Sequence, residues 1–430
     1  MEYVPIIRVL SSPREGVEVA IRGWVYRKRE LKTGVFLLIR DSTGVIQAVA
    51  KPEDKTLFEK AAELGIESSV KLRGVVKLDK RAPGGVELHI TSLEPVHVNS
   101  VFPITKDASP EYLLDVRHLW LRSRKMNAVL KIRHTVFGAI HEYFRSRGFY
   151  EVQCPSFITA ACEGGATLFT VDYFGKKNVY LTQSAQFYLE ALIFSLEKVY
   201  TIAPSFRAEK SRTRRHLTEF WHAEAEVAWC GLEEIMKIEE ELVTYIVRKV
   251  LDKRLEELSF LKRDIKPLEN VKPPFYRITY DEALEIINKK GFKIEWGEDF
   301  GADEERALTR EFDKPVFVYG YPEQCKAFYH KNDPKRPEVT LSADLLAPEG
   351  YGEIIGGGER IADEEELIRK IKRFGLRVED YEWYIDLRRY GSVPHAGFGL
   401  GVDRTVMWVA GLDHIVNAIP FPRTIRRVYP

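Results

Sequence analysis

Apolar and polar residues alternate along the first hundred residues of the chain. Over 17–25 the apolar side chains recur at every second position, the spacing that places them on one face of a strand. Further strand-like runs follow at 35–41 and 45–50, then a helical spacing over 52–65 and two more strand-like runs. Three strands, a helix and two strands is the element order of an OB-fold β-barrel, which commonly binds single-stranded nucleic acid. A small barrel that serves only in assembly would show the same pattern.

The pattern changes after residue 100. Periodicity is weak over 101–118, which predicts a linker, and a long amphipathic helix then leads into a short strand closed by Pro155. Beyond this strand, strand-like runs and helices do not form regular strand–helix–strand units, which favours an antiparallel sheet flanked by helices over a doubly wound sheet. We therefore expect an α+β protein with an N-terminal OB-fold domain at 1–100 and a second domain at 119–430.

Composition and charge narrow the class of protein. Of the 430 residues, 45% are apolar, which indicates a large core. The 65 Lys and Arg nearly balance the 64 Asp and Glu, which argues against a protein that coats nucleic acid without regard to sequence. There is no run of 18 apolar residues and no apolar block behind a basic N-terminus, so neither a membrane span nor a secretory signal is expected. Four cysteines without C-x-x-C spacing favour the cytoplasm over a disulfide scaffold or a zinc site.

Candidate chemistry is concentrated in three segments. Segment 206–226 gathers arginines, whose forked donors match phosphate oxygens, although a charged hairpin in solvent has the same composition. Segment 342–360 places Asp344 and Glu353 before three glycines, and such oxygen ligands can hold Mg²⁺ against phosphates. In 395–404 glycines alternate along a strand, which costs stability unless something approaches the backbone closely. The dinucleotide fingerprint, the P-loop and H-E-x-x-H are absent from the sequence.

Three motifs follow one another in the second domain. They are the helix and strand ending at Pro155, F-R-x-E at 206–209 and G-x-G-x-[DE]-R at 399–404. In this order they resemble motifs 1, 2 and 3 of the class II aminoacyl-tRNA synthetases, and the N-terminal barrel narrows the resemblance to the aspartate/asparagine/lysine subgroup. The segments 211–221 and 388–404 resemble the asparagine-specific members of that subgroup in their archaeal form.

The resemblance implies a ligase that activates asparagine with ATP and Mg²⁺ and transfers it to tRNA(Asn). Motif 1 forms the twofold interface in this class, so a homodimer is expected. One alternative is an aspartate enzyme, including one that charges both tRNAs. Another is an asparagine synthetase derived from this fold, which would not need the barrel. A non-catalytic tRNA-binding protein would have lost Arg207, Glu353 or Arg404, and all three are present.

Motifs 2 and 3 imply the nucleotide site. Arg207 would bridge the amino-acid carboxylate and the α-phosphate, and with Glu353 and Arg404 it would form the catalytic set. Phe220 and Arg404 would cover the two faces of adenine. Asp344 and Glu353 would carry Mg²⁺. The other residues implied in ATP binding are Ala208, Glu209, Arg215, His216, Leu217, Gly401, Val402 and Asp403.

The amino-acid pocket separates asparagine from aspartate. Aspartate enzymes have a lysine where this chain has Leu189, so a substrate carboxylate would lack its cation here. Arg360 would donate to the side-chain oxygen of the substrate, and Glu224 would accept from its amide and repel a carboxylate. Gly356 stands where aspartate enzymes have a serine, and Glu359 where relatives often have glutamine. The residues implied in holding the α-ammonium group and ordering the pocket are Glu163, Ser184, Gln186 and Arg207.

The barrel carries the residues implied in anticodon recognition. Phe36 and Gln47 match the positions that stack on and hydrogen-bond the middle anticodon base, a uridine. Burial of Phe36 inside the barrel is the alternative. Arg27 and Lys28 belong to a short basic run that suits phosphates.

Overall fold

The computed structural model describes residues 2–162, 167–210 and 213–430. The chain forms two compact units, Met1–Leu114 and Asp115–Pro430. Among the described residues, no helix combines the length and the apolar character that crossing a membrane requires.

The first unit is built around a closed five-stranded barrel whose strands follow the order β1-β2-β3-β5-β4. Its elements are α1 (Ile6–Ser11), β1 (Glu18–Leu31), β2 (Gly34–Arg40), β3 (Val45–Ala50), α2 (Lys55–Glu63), β4 (Ser69–Leu78) and β5 (Val86–His97). The predicted order of three strands, a helix and two strands is confirmed, and α1 is an addition that the alternation did not indicate.

The two-residue period of the strands sets the barrel interior. On β2, Val35, Leu37 and Ile39 are fully buried in the barrel core. Phe36 and Leu38 alternate with them and are half-buried. Since successive side chains of a strand point to opposite faces, Phe36 lies on the outer face of the barrel, and its burial in the core is excluded.

In the described part of the second unit, twelve strands form one eight-stranded sheet and two two-stranded sheets, and helices pack around them. At the boundary between the units lies α3 (Pro110–Asp115), inside the segment predicted as a linker. It is followed by α4 (Arg117–Trp120), which begins inside that segment, and by α5 (Arg124–Ser146). The strands are β6 (Tyr150–Glu151), β7 (Phe157–Ile158), β8 (Tyr180–Leu181), β9 (Lys198–Phe206), β10 (Glu219–Ala228), β11 (Tyr276–Thr279), β12 (Val316–Tyr319), β13 (Asn332–Asp333), β14 (Arg336–Thr340), β15 (Ser342–Ala347), β16 (Gly352–Glu359) and β17 (His395–Gly401). The other helices are α6 (Gln186–Leu196), α7 (Leu232–Lys253), α8 (Leu255–Phe260), α9 (Lys266–Glu269), α10 (Tyr280–Lys289), α11 (Ala302–Thr309), α12 (Glu364–Arg373), α13 (Glu382–Arg389) and α14 (Val402–Val409).

Eight of these strands form the sheet, in the order β11-β12-β15-β16-β17-β10-β9-β6. Its central pairs are antiparallel, as predicted, and the pairs at its two edges, β11–β12 and β6–β9, are parallel. The register places Glu226 of β10 opposite Gly397 of β17 and Glu224 opposite Gly399. Residues far apart in the chain are therefore neighbours at the centre of the sheet.

One face of the sheet is covered by α5, α7 and α14. The apolar residues of α5 that the helical spacing indicated, from Val129 to Phe144, are buried in one cluster with Phe398 and Leu400 of β17. Alternate residues of β10, Ala223 among them, belong to the same cluster. The residues between them point to the opposite face of the sheet, which is where the polar side chains gather.

Candidate active site

Two adjoining depressions lie on the polar face of the sheet. The larger is a cavity of about 430 Å³ that Glu224, Glu226 and Arg360 line, and we call it the amino-acid cavity after the ligand predicted for it. The smaller one lies against Phe220 and Arg404, and we call it the nucleotide pocket. The residues that line both are Arg207, His222, Glu353 and Gly399.

The nucleotide pocket gathers most of the residues predicted for ATP. Arg207 follows β9, and its Cζ lies 5.3 Å from the ring centre of Phe220 on β10. Arg404 lies in the first turn of α14. Further predicted residues that line the pocket are Glu209, Arg215, His216, Leu217, Gly401 and Asp403.

Two residues predicted for ATP do not line this pocket. The backbone N of Ala208 donates to the backbone oxygen of Thr167 at 2.7 Å, which ties the motif 2 segment to a neighbouring loop. Val402 is fully buried in the core cluster because it begins α14 on the side that packs against the sheet. The side chain of Val402 is therefore structural, and this prediction is corrected.

Arg404 holds the acid of β16 in place. Its Nη1 lies 2.8 Å from Oε2 of Glu353 and 3.2 Å from the backbone oxygen of the same residue. Burial alone would raise the pKa of Glu353, but the charges of Arg404, Arg215 and Lys326 outweigh burial and lower that pKa to about 2. Glu353 is therefore ionised at neutral pH.

Arg215 is paired with an acid that the sequence reasoning missed. Both of its Nη atoms donate to Glu305 on α11, and Nη2 lies 2.6 Å from Oε1. Burial would lower the pKa of Arg215, but this pair outweighs it and raises the pKa. The backbone N of Glu353 also donates to Glu305 at 2.7 Å. No local motif marks Glu305, which reaches the pocket through the tertiary fold alone.

His216 is a neutral side chain in a cationic pocket. Burial lowers its pKa to about 4, and the charges of Arg404 and Arg215 act in the same direction. Its Nδ1 is hydrogen-bonded to the hydroxyl of Thr213. At neutral pH, the His216 ring is therefore uncharged in the protein without nucleotide.

Asp403 connects the three motifs of the sequence. It is 1% exposed and accepts a hydrogen bond from Nη1 of Arg133 on the motif 1 helix α5. It also accepts from the backbone N of Trp221, on the motif 2 strand β10, at 2.7 Å. Asp403 itself lies in motif 3, so its carboxylate joins all three.

The alternating glycines of β17 make room for side chains of β10. A β-carbon at Gly397 would overlap the carboxylate of Glu226, and one at Gly399 would overlap the imidazole of His222. At Gly401 the nearest atom would be Cδ of Arg404 at 3.6 Å, so a methyl group fits there. The predicted close approach to the backbone is thus made at two of these positions by the protein itself.

Arg360 and Glu226 form a buried ion pair in the amino-acid cavity. Nη2 of Arg360 lies 2.6 Å from Oε1 of Glu226, and its Nε lies 3.2 Å from the same oxygen. Burial pushes the pKa of Glu226 upward, and the Arg360 guanidinium within hydrogen-bond distance opposes that rise and stabilises the carboxylate. Glu226 was missed by the sequence reasoning, although its spacing of two residues from Glu224 on one strand puts both on the cavity face.

Glu224 lines the cavity but does not contact Arg360. Its carboxylate accepts from the hydroxyl of Ser184 and from the backbone N of Ala185 at 2.8 Å. It therefore fixes the chain that leads into α6, where the predicted residue Gln186 also lines the cavity. The acid beside Arg360 is Glu226, and Glu224 lines the same cavity, so the role of Glu224 as acceptor for a substrate amide stays a prediction.

Leu189 does not line the cavity. It is fully buried and packs with Ile193, Val199 and Ala228 between α6 and the sheet. Gln186, one helical turn earlier, lines the cavity, whereas Leu189 packs against the sheet beneath it. The prediction of Leu189 as a residue that contacts the amino acid is therefore corrected, and the matched position contributes here by lacking a cation.

Lys326 lies at the two acids predicted for Mg²⁺. Its Nζ is 2.6 Å from Oδ2 of Asp344. Burial raises the pKa of Asp344 to about 7, and Lys326 opposes that rise. A β-carbon at Gly356 would lie 3.4 Å from Oδ1 of Asp344 and 3.2 Å from Oε1 of Glu353, so both acids present an oxygen to the same space. Within the part of the chain that the structure describes, no group of three or more acid, histidine or cysteine side chains converges on a metal site.

Glu359, adjacent to Arg360 in the sequence, is neutralised locally. Its Oε1 accepts from Nζ of Lys331 at 2.5 Å. The extra negative charge at this position is therefore taken up by Lys331 and does not reach the cavity. Glu163, the remaining residue predicted for the amino acid, lies outside the described residues.

The outer face of the barrel presents the residues predicted for the anticodon. Phe36 on β2 is paired across the strands with Arg29 on β1, which is exposed. Nε2 of Gln47 donates to Oε2 of Glu87 on β5 at 2.7 Å. Arg27 lies over the ring of Tyr26, and Nζ of Lys28 donates to the backbone oxygen of Ala62, so Lys28 is held by the barrel.

Comparison with known proteins defines the class. The family model described as "tRNA synthetases class II (D, K and N)" matches residues 109–425, and the one described as "OB-fold nucleic acid binding domain" matches residues 19–96. The fold and the paired pockets are thus those of a class II tRNA synthetase.

Individual relatives narrow the class further. The chain is 56% identical to the asparagine–tRNA ligase of Thermococcus gammatolerans over 417 residues, 97% of either chain. It is 54% identical to the asparaginyl-tRNA synthetase from Pyrococcus horikoshii solved in complex with asparaginyl-adenylate, with a TM-score of 0.96 and full coverage of both chains. The corresponding complex from Entamoeba histolytica is 34% identical, with a TM-score of 0.89 and 98% coverage of each chain. The chain belongs to the asparagine–tRNA ligase family.

Proposed function

We propose that this chain activates asparagine with ATP, which yields asparaginyl-adenylate and pyrophosphate, and then transfers the asparaginyl group to the terminal ribose of tRNA(Asn). The observation that carries the proposal is the junction of the two depressions at Arg207 and Glu353, with the Arg360–Glu226 pair in the cavity beyond. The solved relatives from P. horikoshii and E. histolytica both hold asparaginyl-adenylate. The cytoplasm is the expected location.

In the first step, a carboxylate oxygen of asparagine attacks the α-phosphorus while the bond to the pyrophosphate oxygen breaks. Arg207 lines both depressions, so its guanidinium can contact the attacking carboxylate and the α-phosphate together. It would stabilise the negative charge that gathers there. Phe220 and Arg404 would hold the adenine ring between them. No side chain forms a covalent intermediate, because positioning and charge stabilisation suffice for an in-line displacement.

Selection of asparagine follows from the buried pair. Arg360 would donate to the carboxamide oxygen of the substrate, and Glu226 would accept from its NH₂ group. Aspartate would bring a second carboxylate beside Glu226 in a site shielded from water, where like charges repel strongly. The alternative aspartate enzyme is therefore disfavoured by Glu226 as well as by the absence of a lysine at position 189.

Asp344 and Glu353 fit a magnesium ion that shares its coordination with phosphate. Two carboxylates that present oxygens to one space, with the remaining ligands supplied by nucleotide and water, is the arrangement that Mg²⁺ prefers. When bound, the ion would neutralise charge on the phosphates. Lys326 contacts the other oxygen of Asp344 and balances the negative charge of this carboxylate.

The barrel would read the anticodon of tRNA(Asn). Phe36 offers a half-buried ring on the outer face as a stacking platform, and the exposed Arg29 beside it suits a phosphate. Because Glu87 can only accept, it holds the NH₂ end of Gln47. The amide oxygen of Gln47 would then be the end that accepts the N3–H of a uridine.

The proposal includes a homodimer through α5 and β6. β6 is the last strand of the eight-stranded sheet, so among the described residues one of its edges has no partner strand. Tyr150 on β6 and Phe157 on β7 are each more than half exposed. An unpaired edge flanked by exposed aromatic side chains is the kind of surface that a second copy covers.

Exchange of pyrophosphate into ATP, with asparagine and aspartate compared side by side, tests the first step. We expect exchange that depends on asparagine and hardly responds to aspartate, followed by charging of tRNA(Asn). Arg207→Ala should abolish both activities in a protein that still melts cooperatively. Exchange supported by aspartate over asparagine would contradict the proposal. Light scattering on the same sample gives the oligomeric state, and a monomeric mass would contradict the proposed homodimer.

A further inference from the structure

A cluster of buried polar side chains lies next to the amino-acid cavity without lining it. Its centre is Glu190 on α6, which is fully buried. The hydroxyl of Tyr384 lies 2.8 Å from both carboxylate oxygens, and Nη2 of Arg388 lies 2.5 Å from Oε2. Nε2 of His395 lies 2.9 Å from the same oxygen. Three elements of the fold, α6, α13 and β17, therefore meet at one carboxylate.

Glu190 is ionised in this cluster. Burial alone would raise the pKa of its carboxyl group, but the charge of Arg388 and the contacts with His395 outweigh burial and lower it. The side chains of Arg388 and His395 are themselves without exposure to solvent. An ionised carboxylate in such surroundings accepts hydrogen bonds and donates none.

A further contact joins the cluster to the cavity. Nε2 of Gln186, which lines the cavity, lies 2.9 Å from Oε1 of Glu190. Because Glu190 only accepts, Gln186 can meet it only with its NH₂ end. The other end of the amide, its oxygen, is then the one that Gln186 offers to the cavity.

The same cluster fixes the chain on both sides of Arg360. Nε of Arg388 donates to the backbone oxygen of Ile361 at 2.8 Å, and the backbone N of Arg360 donates to the backbone oxygen of His395 at 2.9 Å. Movement of Glu190 relative to Arg388 or His395 would therefore shift the backbone at Arg360, whose side chain lines the cavity. This arrangement keeps Glu190 at a fixed place from which to orient Gln186.

We propose that Glu190 is a positioning residue for the amino acid: it turns the carboxamide of Gln186 so that the amide oxygen accepts a hydrogen bond from an N–H of the bound substrate. The inference rests on the proposed function, because it takes an amino acid as the occupant of the cavity. Glu190 itself does not touch the substrate.

Glu190→Gln tests the inference with a change of charge and almost none of shape. A glutamine at 190 can present either an oxygen or an NH₂ group, so the amide of Gln186 loses its fixed orientation. We expect the KM for asparagine in pyrophosphate exchange to rise about 10- to 50-fold, with the KM for ATP unchanged within about twofold. Rises of the same size in both KM values, or no rise in either, would overturn the proposal.

Glu323→Gln is the matched control. Glu323 is likewise a buried acid with two cationic partners, Lys370 at 3.3 Å and Arg373 at 2.6 Å, and it does not line the cavity. Loss of a buried charge by itself should therefore leave both KM values of this variant unchanged. A rise in the KM for asparagine in Glu323→Gln as large as that in Glu190→Gln would overturn the proposal.

A double variant shows whether Glu190 acts through Gln186. With Gln186→Met already present there is no amide to orient, so adding Glu190→Gln should raise the KM for asparagine by less than about twofold. A full additional effect would overturn the proposal. If Glu190→Gln does not fold, Tyr384→Phe removes one donor and keeps the charge, and a KM for asparagine equal to that of the wild type would then count against the inference. Failure of the proposed function would show in the wild type, as exchange that asparagine does not stimulate.

Discussion

Arg360 and Glu226 face each other across 2.6 Å in the amino-acid cavity, and neither side chain is more than 3% exposed. Water is largely absent from such a pair, so each charge strongly affects any further charge brought close to it. A carboxamide adds an oxygen for the guanidinium and an NH₂ group for the carboxylate. A second carboxylate satisfies only Arg360.

Glu226→Gln should therefore weaken the preference for asparagine. The variant keeps the size of the side chain and removes the charge that repels aspartate, so the ratio of kcat/KM values for asparagine and aspartate should fall at least tenfold. Pyrophosphate exchange with each amino acid measures this ratio. Glu359→Gln is the control, because Glu359 is next to Arg360 in the sequence but pairs with Lys331, and its ratio should not change. An unchanged ratio in Glu226→Gln would remove Glu226 from substrate selection.

Gly397→Ala should destabilise the protein and weaken asparagine binding together. The new methyl group would overlap the carboxylate of Glu226, which Arg360 holds, so the pair must move apart or the strands must separate. We expect the free energy of unfolding to fall by about 1–3 kcal/mol, as for other overpacked sites. Urea unfolding checks this value. Gly401→Ala, where the methyl group meets nothing closer than 3.6 Å, should differ from the wild type by less than about 0.5 kcal/mol.

Acid should destabilise the wild type more than His216→Gln. The folded-state pKa of His216, about 4, is lower than the ordinary value near 6.5, so as the pH falls the unfolded chain takes up a proton first. The stability that this difference supplies is complete above pH 7 and is lost as the pH falls towards 4. Between pH 7.5 and 5 the wild type should lose about 1–2 kcal/mol more than the variant, measured by denaturant unfolding. Parallel pH curves for the two proteins would show that His216 titrates normally.

Lys326→Met should make the protein depend on magnesium for stability. Removing Lys326 leaves Asp344 buried without its partner, which costs about 3 kcal/mol in comparable sites. Mg²⁺ with a non-hydrolysable ATP analogue should restore much of the lost melting temperature, since Asp344 then has a cation again. Lys331→Met, which breaks the pair with Glu359, is the control and should melt alike with and without the metal. The same response in both variants would count against a metal site at Asp344.

Phe36→Ala should separate tRNA recognition from amino-acid activation. Loss of a stacking platform worth about 1–3 kcal/mol should raise the KM for tRNA(Asn) about 5- to 100-fold and leave pyrophosphate exchange unchanged. Trp24→Ala is the control, since Trp24 is another exposed aromatic residue of the barrel and is not implied in anticodon contact. The KM for tRNA(Asn) of both variants is measured from the kinetics of tRNA charging. Equal KM values for tRNA would place the anticodon site elsewhere on the barrel.

The alternation of residues predicted the barrel well because a strand period is local. Val35, Leu37 and Ile39 could be assigned to one face from three positions of sequence. The outward direction of Phe36 follows from the same alternation, once the structure shows which face is the core. In the second unit, by contrast, the order of the strands depends on pairs such as Glu226 with Gly397, and no local period encodes a partner 171 positions away.

The site was predicted where a motif fixed the residue and missed where only the fold brings the side chain in. Arg207 and Arg404 lie in motifs 2 and 3, Glu353 lies in the acidic and glycine-rich segment 342–360, and the structure gathers them in one pocket. Glu305 and Lys326 come from segments without a motif. Glu224 and Glu226 share one face of one strand, so only the position of Arg360 decides which of them it meets. Leu189 matches a motif position that resemblance marked as a pocket residue, but its side chain is buried between α6 and the sheet.

Asp403 links the helix α5 to the nucleotide pocket. Its carboxylate holds Arg133 of α5 and the backbone of Trp221 of β10, while its neighbour Arg404 reaches Glu353. Two hydrogen bonds and the covalent link between Asp403 and Arg404 therefore connect α5 with Glu353. If a second copy of the chain binds to α5, its binding or dissociation would affect Glu353 through these contacts without any large rearrangement. Association of the subunits and the catalytic activity of the site would then depend on the same buried residue, Asp403.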